Sequence, residues 1–368
     1  MARFALITFS GGGNIPPLSG LAARLVSRGH EVHVLADAGV AGAARTASAL
    51  FTEVPELAFW TPAVPRSVPQ TMAQAIRLLS DRAVERHVLA ELARLRPDVV
   101  LVDCLLAGCA RAAHAAGHRT IVLFHTYLDY WTRSLARGPV GMIAALRGRS
   151  PRASWDAADL RIVMCDDRLD PSAHPAGTVW TGSAESGVAA IRQDPPLVVV
   201  SLSTMEVPGQ PDAYRRIVRA LGELDVRAVV TLGGPDVDGL DVPPNVELRG
   251  HVPHDELFPH ASLVVGHAGL STTFRALAHG IPLVLMPLHP LLDQPLVARS
   301  VAGAGAGVVV KRTAPASDIA AAARRVLGDP SFAEAAGRIG ARLRATDGAD
   351  AAADAVERAL SPAPLPGR

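Results

Sequence analysis

One pattern governs what this chain can fold into: short buried apolar runs alternate with helix-patterned segments, and the alternation starts twice. The first round opens at residues 4–9, a run with the length and apolarity of a buried strand, and passes into the turn-rich Ser10, Gly11, Gly12, Gly13 and Asn14. A helical pattern follows over 17–27, with Pro16 and Pro17 in the first turn, where a missing amide hydrogen costs nothing. Gly29 stops it, and 31–36 is the next strand. Strand, glycine turn, helix, strand is the opening unit of a doubly wound α/β sheet. The theme continues with a helix over 71–95, a strand at 99–102, a helix at 105–116 and strands at 120–124, 160–165 and 177–180. Residues 133–151, interrupted by glycine, proline and arginine, read as a helix with mobile ends.

The pattern breaks over 187–196, and Asp194, Pro195 and Pro196 mark a junction before it restarts. Strands are expected at 197–202, 226–232, 246–249, 263–265, 283–286 and 308–310, with helices between them and a helical stretch from 316 to 360. Two domains also follow from size, since 368 residues exceed what one core usually serves. Short buried strands alternating with helices in both halves favour two parallel sheets, each covered by helices.

Composition excludes several partners. A net charge of +1, with 35 arginines scattered among carboxylates and one lysine, Lys311, lacks the clustered basic face of a nucleic-acid binder. Cys104, Cys109 and Cys165 form neither a disulfide framework nor a close zinc-type pair, and read as buried free thiols in a reducing compartment. No run reaches bilayer length and the N-terminus opens on a strand pattern rather than a leader, so a cytoplasmic protein is expected.

The chemistry concentrates in the second round. Gly266, His267, Ala268, Gly269, Leu270, Ser271, Thr272 and Thr273 fall between a strand and a helix, where backbone amides and the positive end of the helix dipole face a ligand. Small residues expose the amides, while hydroxyls and an imidazole add donors, a set suited to a diphosphate. The same residues also describe a tight strand-to-helix turn with a Ser/Thr cap, and local physics leaves both readings open.

The run from His267 to Leu277, then Gly280, Ile281, Pro282, then Pro287, then Asp293 and Gln294, resembles the donor-binding signature of family-one glycosyltransferases with the two-domain GT-B fold. Within that family the chain resembles bacterial enzymes that decorate natural products. Val200 to Thr204 and Gly250 to His254 extend the likeness, and a looser similarity covers almost the whole chain. The resemblance implies an α/β GT-B architecture, two Rossmann-like parallel-sheet domains facing a cleft: 1–190 binding the acceptor, 191–346 binding the nucleotide sugar, and 347–368 a helix packing back on the N-terminal domain. It implies an inverting transfer of a sugar or deoxysugar to a small-molecule natural-product aglycone. The nucleotide sugar is co-substrate, with no other cofactor and no metal. A homodimer is compatible with it.

Carried over by position, the resemblance assigns His267, Gly269, Ser271 and Thr272 to the diphosphate, with Ser203 or Thr204 approaching from another strand end. Val252 would offer backbone groups to the pyrimidine edge, His251 would lie near the base, and Asp293 and Gln294 would take sugar hydroxyls, chemistry a carboxylate and an amide can perform. Two departures stand out. Arg275 replaces a glutamate that bridges ribose hydroxyls in uridine-using relatives, which is compatible with a thymidine-diphosphate donor. Five residues, Leu288 to Leu292, separate Pro287 from Asp293 where three are usual, which brings His289 into consideration.

For the acceptor side, many relatives place a base histidine after the first glycine turn and an orienting aspartate at a later strand end. Here Asn14, which has no useful proton affinity, stands at the base position, while Asp103 matches the aspartate. Several readings follow: His125 oriented by Asp103 as the base; Asp103 or Asp129 as the base; an acceptor that needs little activation; or a catalytically impaired auxiliary partner of another transferase. Asn14 also suits a strained turn or an orienting hydrogen bond. Trp60, Tyr127, Tyr130 and Trp131 suit either an aromatic acceptor pocket or a core. A nucleotide-sugar epimerase of the same architecture is the enzymatic rival, and a dinucleotide oxidoreductase would rest on Gly11 to Gly13 alone.

Overall fold

The computed structural model describes residues 1–60, 64, 66–202, 207, 209–233 and 239–360. The chain divides into two compact units: Met1–Thr61, Val68–Ala184 and Asp347–Arg368 in one, Pro62–Ser67 and Glu185–Thr346 in the other.

The first unit is a seven-stranded sheet of β1 (Arg3–Ile7), β2 (Glu31–Ala36), β3 (Leu50–Glu53), β4 (Val99–Asp103), β5 (Thr120–Phe124), β6 (Leu160–Val163) and β7 (Thr178–Trp180). Their spatial order is β3-β2-β1-β4-β5-β6-β7, and every pairing is parallel. β4 and β5 are buried along their whole length, as expected of central strands covered on both faces. The helices are α1 (Ile15–Ser27), α2 (Ala41–Thr46), α3 (Val68–Ser80), α4 (Arg82–Leu95), α5 (Ala107–Ala115), α6 (Pro139–Leu146) and α7 (Pro151–Asp156).

Local chemistry explains where this differs from the sequence reading. The single helix expected over 71–95 is two, because Asp81 leaves the helical path and caps α4, accepting from the Ala83 amide at 2.8 Å. The ambiguous stretch 133–151 holds the end of a π-helical turn (Tyr130–Leu135) and one short helix, α6, and it ends where α7 starts; each helix is begun by a proline. β3 escaped notice because none of its four residues is buried and they show no apolar run.

The second unit is a six-stranded parallel sheet of β8 (Leu197–Ser201), β9 (Arg227–Thr231), β10 (Val246–Arg249), β11 (Ala261–Gly266), β12 (Leu283–Leu285) and β13 (Gly307–Val309), in the order β10-β9-β8-β11-β12-β13. Its helices are α8 (Gln210–Gly222), α9 (His254–Leu257), α10 (Leu270–Ala278), α11 (Gln294–Gly303), α12 (Ala316–Gly328) and α13 (Pro330–Arg344). Val198 and Val200 of β8, Ala228 and Val230 of β9, and Leu263 and Val265 of β11 share one core with Tyr214 and Ile217 of α8 and with Ile319 and Ala323 of α12. The alternate residues on each strand that enter this core lie on one face of the sheet, as the period of two requires.

The C-terminal helix α14 (Gly348–Arg358) returns to the first unit. Ala352, Ala353 and Val356 join a core with Phe4, Leu6, Leu18 and Leu21. Gly348 is required where it starts, since a Cβ there would overlap the Ser183 carbonyl oxygen. Arg28 reaches Asp350, Asp354 and Glu357 at 2.5–2.7 Å. These pairs are half-exposed on the acidic side, so each contributes at most about 1 kcal/mol and apolar packing dominates the docking.

In each sheet the chain order reverses direction at one place, between β1 and β4 in the first and between β8 and β11 in the second. Ligands of open parallel sheets bind beyond the carboxyl ends of strands at such points.

Candidate active site

In the first unit, β1 delivers the glycine turn and Asn14, β4 ends on Asp103, and β5 ends just before His125. The turn is tight: Gly12 has φ +93°, and a Cβ on Gly11 would meet Asn14 Oδ1 at 2.7 Å. Asn14 is buried, and its Nδ2 faces Asp103 Oδ2 at 3.0 Å, the Phe9 carbonyl at 2.9 Å and Thr8 Oγ1 at 3.1 Å. Three acceptors around one nitrogen fix the amide orientation, and Oδ1 is left buried without a hydrogen-bond partner.

Asp103 is fully buried and accepts from the Leu105 amide at 2.9 Å through its other oxygen. His125 Nδ1 lies 3.4 Å from Asp103 Oδ2, longer than a well-formed hydrogen bond, and the ring packs edge-on against Trp131. With Nδ1 turned to the carboxylate, Nε2 is the nitrogen left for a substrate proton. The structure therefore gathers Asn14, Asp103 and His125. Asp129 is engaged differently: Arg133 Nε approaches its Oδ1 at 3.0 Å, without hydrogen-bond alignment.

Asp103, Cys104 and His125 offer ligand atoms within 4.8 Å of one another, a grouping of the type that can hold a metal. Burial, reinforced by Asp103, pushes the Cys104 thiol well above its usual range, so it is held protonated and is a poor ligand. Trp60, Tyr127, Tyr130 and Trp131 are all buried.

Sequence reasoning passed over Asp170. Its buried carboxylate accepts from the Leu128 amide at 2.8 Å, the Asp129 amide at 3.3 Å, the Ser172 amide at 3.1 Å and Trp180 Nε1 at 3.0 Å, which pins the segment following His125.

In the second unit, β11 runs into His267, Ala268 and Gly269, and Gly269 is the N-cap of α10. Ala268 has φ +64°, a left-handed conformation that turns the backbone sharply between strand and helix. Gly269 is dictated by its neighbour: a Cβ there would overlap His267 Nε2. His267 is 8% exposed, and its Nδ1 has no hydrogen-bond partner. Burial lowers its pKa to about 4, so a neutral imidazole stands beside the helix N-terminus at pH 7.

His254, at the start of α9, stacks on Phe258 with centroids 4.4 Å apart, and its Nε2 lies 2.9 Å from Ser201 Oγ at the end of β8. Burial, then the Arg275 charge, lowers its pKa to about 4. Neither Ser201 nor His254 was given a role from sequence, although both lie within the quoted runs. His251 is exposed and Val252 half-buried in the turn before α9. Thr272 is half-buried in the first turn of α10. Ser203 and Thr204 lie outside the described residues.

Three sequence assignments take a different form. The Ser271 hydroxyl donates to Glu185 Oε1 at 2.5 Å, and Arg275 Nε donates to Glu185 Oε2 at 2.7 Å. Arg275 is thus an ion-paired residue that carries a carboxylate to the flank of α10. Gln294, expected to meet sugar hydroxyls, is buried, and its Oε1 accepts from the Leu288 and His289 amides at 2.8 and 2.9 Å. The longer turn before α11 needs those two amides satisfied, and Gln294 does so. His289 accepts from the Leu291 amide at 3.3 Å and packs into the same turn. Asp293 is the N-cap residue of α11, and its side chain makes no capping hydrogen bond to that helix.

Two parallel sheets with these switch-point sites define the GT-B fold of glycosyltransferases. The calicheamicin glycosyltransferase CalG4 superposes with a TM-score of 0.81 over 98% of each chain at 22% identity. The glycosyltransferase VinC in complex with dTDP gives 0.75 over 97% of this chain and 99% of the other at 20% identity. Residues 215–356 match the family model described as erythromycin biosynthesis protein CIII-like, C-terminal domain. The demethyllactenocin mycarosyltransferase of Streptomyces fradiae is 35% identical over 173 residues, 46% of this chain and 36% of that protein. The matched stretches span 36–40% of the length of the curated relatives first found. Among the described residues no helix is long and apolar enough to cross a membrane.

Proposed function

We propose that this chain is an inverting glycosyltransferase that moves a sugar or deoxysugar from a nucleoside-diphosphate donor to a small-molecule natural-product acceptor in the cytoplasm. The observation that carries the reading is the β11–α10 turn: helix-terminal amides, a hydroxyl at Thr272 and a buried neutral imidazole at His267 surround a position suited to a diphosphate. The family match over 215–356 and the activities named for the relatives support it. His125 would remove the acceptor proton through Nε2, with Asp103 stabilising the imidazolium at Nδ1. The acceptor oxygen would then attack the anomeric carbon as the diphosphate leaves from the opposite face. Asp293 remains the residue proposed for sugar hydroxyls, with Gln294 supporting the turn that carries it. Ser203 and Thr204 keep their proposed approach to the diphosphate, and Val252 and His251 theirs to the base.

For a thymidine nucleotide the support is the dTDP-bound solved relative. Arg275 is paired with Glu185, a carboxylate beside α10. A second reading, an auxiliary protein for a partner transferase, is favoured by one observation: Asn14 fills the contact to Asp103 that a base histidine would make.

The test incubates the folded chain with thymidine- and uridine-diphosphate sugars and a panel of polyphenolic and macrocyclic acceptors, following nucleoside diphosphate and product mass together. Transfer supports the enzyme. Donor binding without turnover favours the auxiliary reading, and neither binding nor turnover overturns both.

A further inference from the structure

Glu185 lies in the segment joining β7 to β8, far in sequence from the residues it touches. Glu185 is 7% exposed, and its carboxylate meets two residues on one face of α10, Oε1 taking the Ser271 hydroxyl at 2.5 Å and Oε2 taking Arg275 at 2.7 Å. The segment that carries it is held along the same helix. The Val188 amide donates to His279 Nδ1 at 3.4 Å, the Ala190 amide to the His279 carbonyl at 2.9 Å, and the Ile191 amide to the Pro259 carbonyl at 2.8 Å. Gly187 lies so close that a Cβ would stand 2.7 Å from the His279 ring.

The charges beside it lean negative. Arg275 also has Asp255 at 3.9 Å, while His254 and His267 are held neutral by burial. One guanidinium therefore faces two carboxylates beside the first turns of α10. At that turn the buried His267 keeps an unpartnered Nδ1, so the site retains unused hydrogen-bonding capacity beside an anion supplied by the chain itself.

We propose that Glu185 is a built-in counter-anion of the donor half-site, which engages Ser271 and Arg275 and weakens the hold on the nucleoside diphosphate product more than on the nucleotide-sugar donor. This rests on the donor reading above. A free nucleoside diphosphate carries about one more negative charge than its sugar ester, and repulsion from a nearby carboxylate scales with ligand charge. The bound donor is thus tolerated while the product is expelled, which favours release, a step that limits turnover in many enzymes.

Glu185→Gln keeps an oxygen to accept from Ser271 and removes the charge, leaving Arg275 with Asp255 alone. Calorimetric titration with thymidine diphosphate, a thymidine-diphosphate sugar and inorganic pyrophosphate should give roughly tenfold tighter binding of the free diphosphate and about threefold tighter binding of the sugar ester. The gap between the two should shrink at about 0.5 M salt, as a screened charge effect must. Arg275→Gln should weaken both ligands. Weaker diphosphate binding by Glu185→Gln, or an equal change for both ligands, overturns the proposal, since a purely structural role would not distinguish ligand charge. If folded wild type and Glu185→Gln bind none of the three probes, the donor reading falls and the proposal with it. If they bind with the stated difference and no transfer occurs with any acceptor, the counter-anion stands and the enzymatic reading alone fails.

Discussion

The two switch points occupy the same place in two parallel sheets, yet they are furnished in opposite ways. In the first unit the strand ends converge on a fully buried carboxylate, Asp103, whose oxygens are already met by Asn14 and the Leu105 amide, with His125 Nδ1 3.4 Å away. In the second the strand ends present a neutral buried imidazole, a serine–histidine contact and the N-terminal end of a helix. A parallel sheet thus decides where a site will be, while a few strand-end residues decide whether it holds a charge or awaits one.

The comparison can be broken most directly at His125. His125→Ala should lower kcat by about 10²-fold or more while thymidine-diphosphate affinity stays within about twofold of wild type. An unchanged kcat would return the acceptor to self-activation or the base to another residue. Gly269→Ala makes the opposite cut. Its methyl would collide with His267, so diphosphate affinity should fall roughly tenfold, and the first unit's near-ultraviolet signal from Trp131 and Trp155 should not move.

Acid should separate the two sites by stability. The folded pKa values of His254 and His267 lie near 4, below the ordinary value of 6.5. Their stabilising contribution is complete above about pH 6.5 and is lost as pH falls toward 4, because the unfolded chain takes up the protons first. Thermal unfolding midpoints should drop over that window, and His254→Gln with His267→Gln should flatten the drop. Persistence of the full slope in the double variant would move its origin elsewhere. The smallest expected effect is Asn14→Ala, which removes the amide from Asp103 and should cost about 1–3 kcal/mol in urea denaturation. A neutral result would mean that Asp103 finds water as readily as it finds Asn14.

How much of this was legible depended on the range of the interactions involved. Fully buried strands such as β4, β8 and β11 announce themselves because nearly every residue is apolar, and the β11–α10 turn because glycine and hydroxyls cluster locally. His125 oriented by Asp103 is one of several readings the sequence allows, and their proximity follows from β4 and β5 being neighbours, which no local pattern shows. Glu185 was invisible because its partners lie 86 and 90 positions away and no local pattern marks it. Gln294 shows the converse: a motif position suggests a role toward the sugar, while the contact of its Oε1 with the Leu288 and His289 amides is revealed only by the folded turn.

The return of α14 to the first core makes that unit discontinuous along the chain, with the larger piece of the second unit, Glu185–Thr346, falling before its last piece. A chimaera that exchanges the Glu185–Thr346 piece for that of a relative therefore needs two splice points, near Ala184–Glu185 and Thr346–Asp347, and a single crossover would leave α14 foreign to the core it must complete. The close approach of Gly348 to Ser183 places those seams side by side, so the graft can be judged by whether that one contact is re-formed.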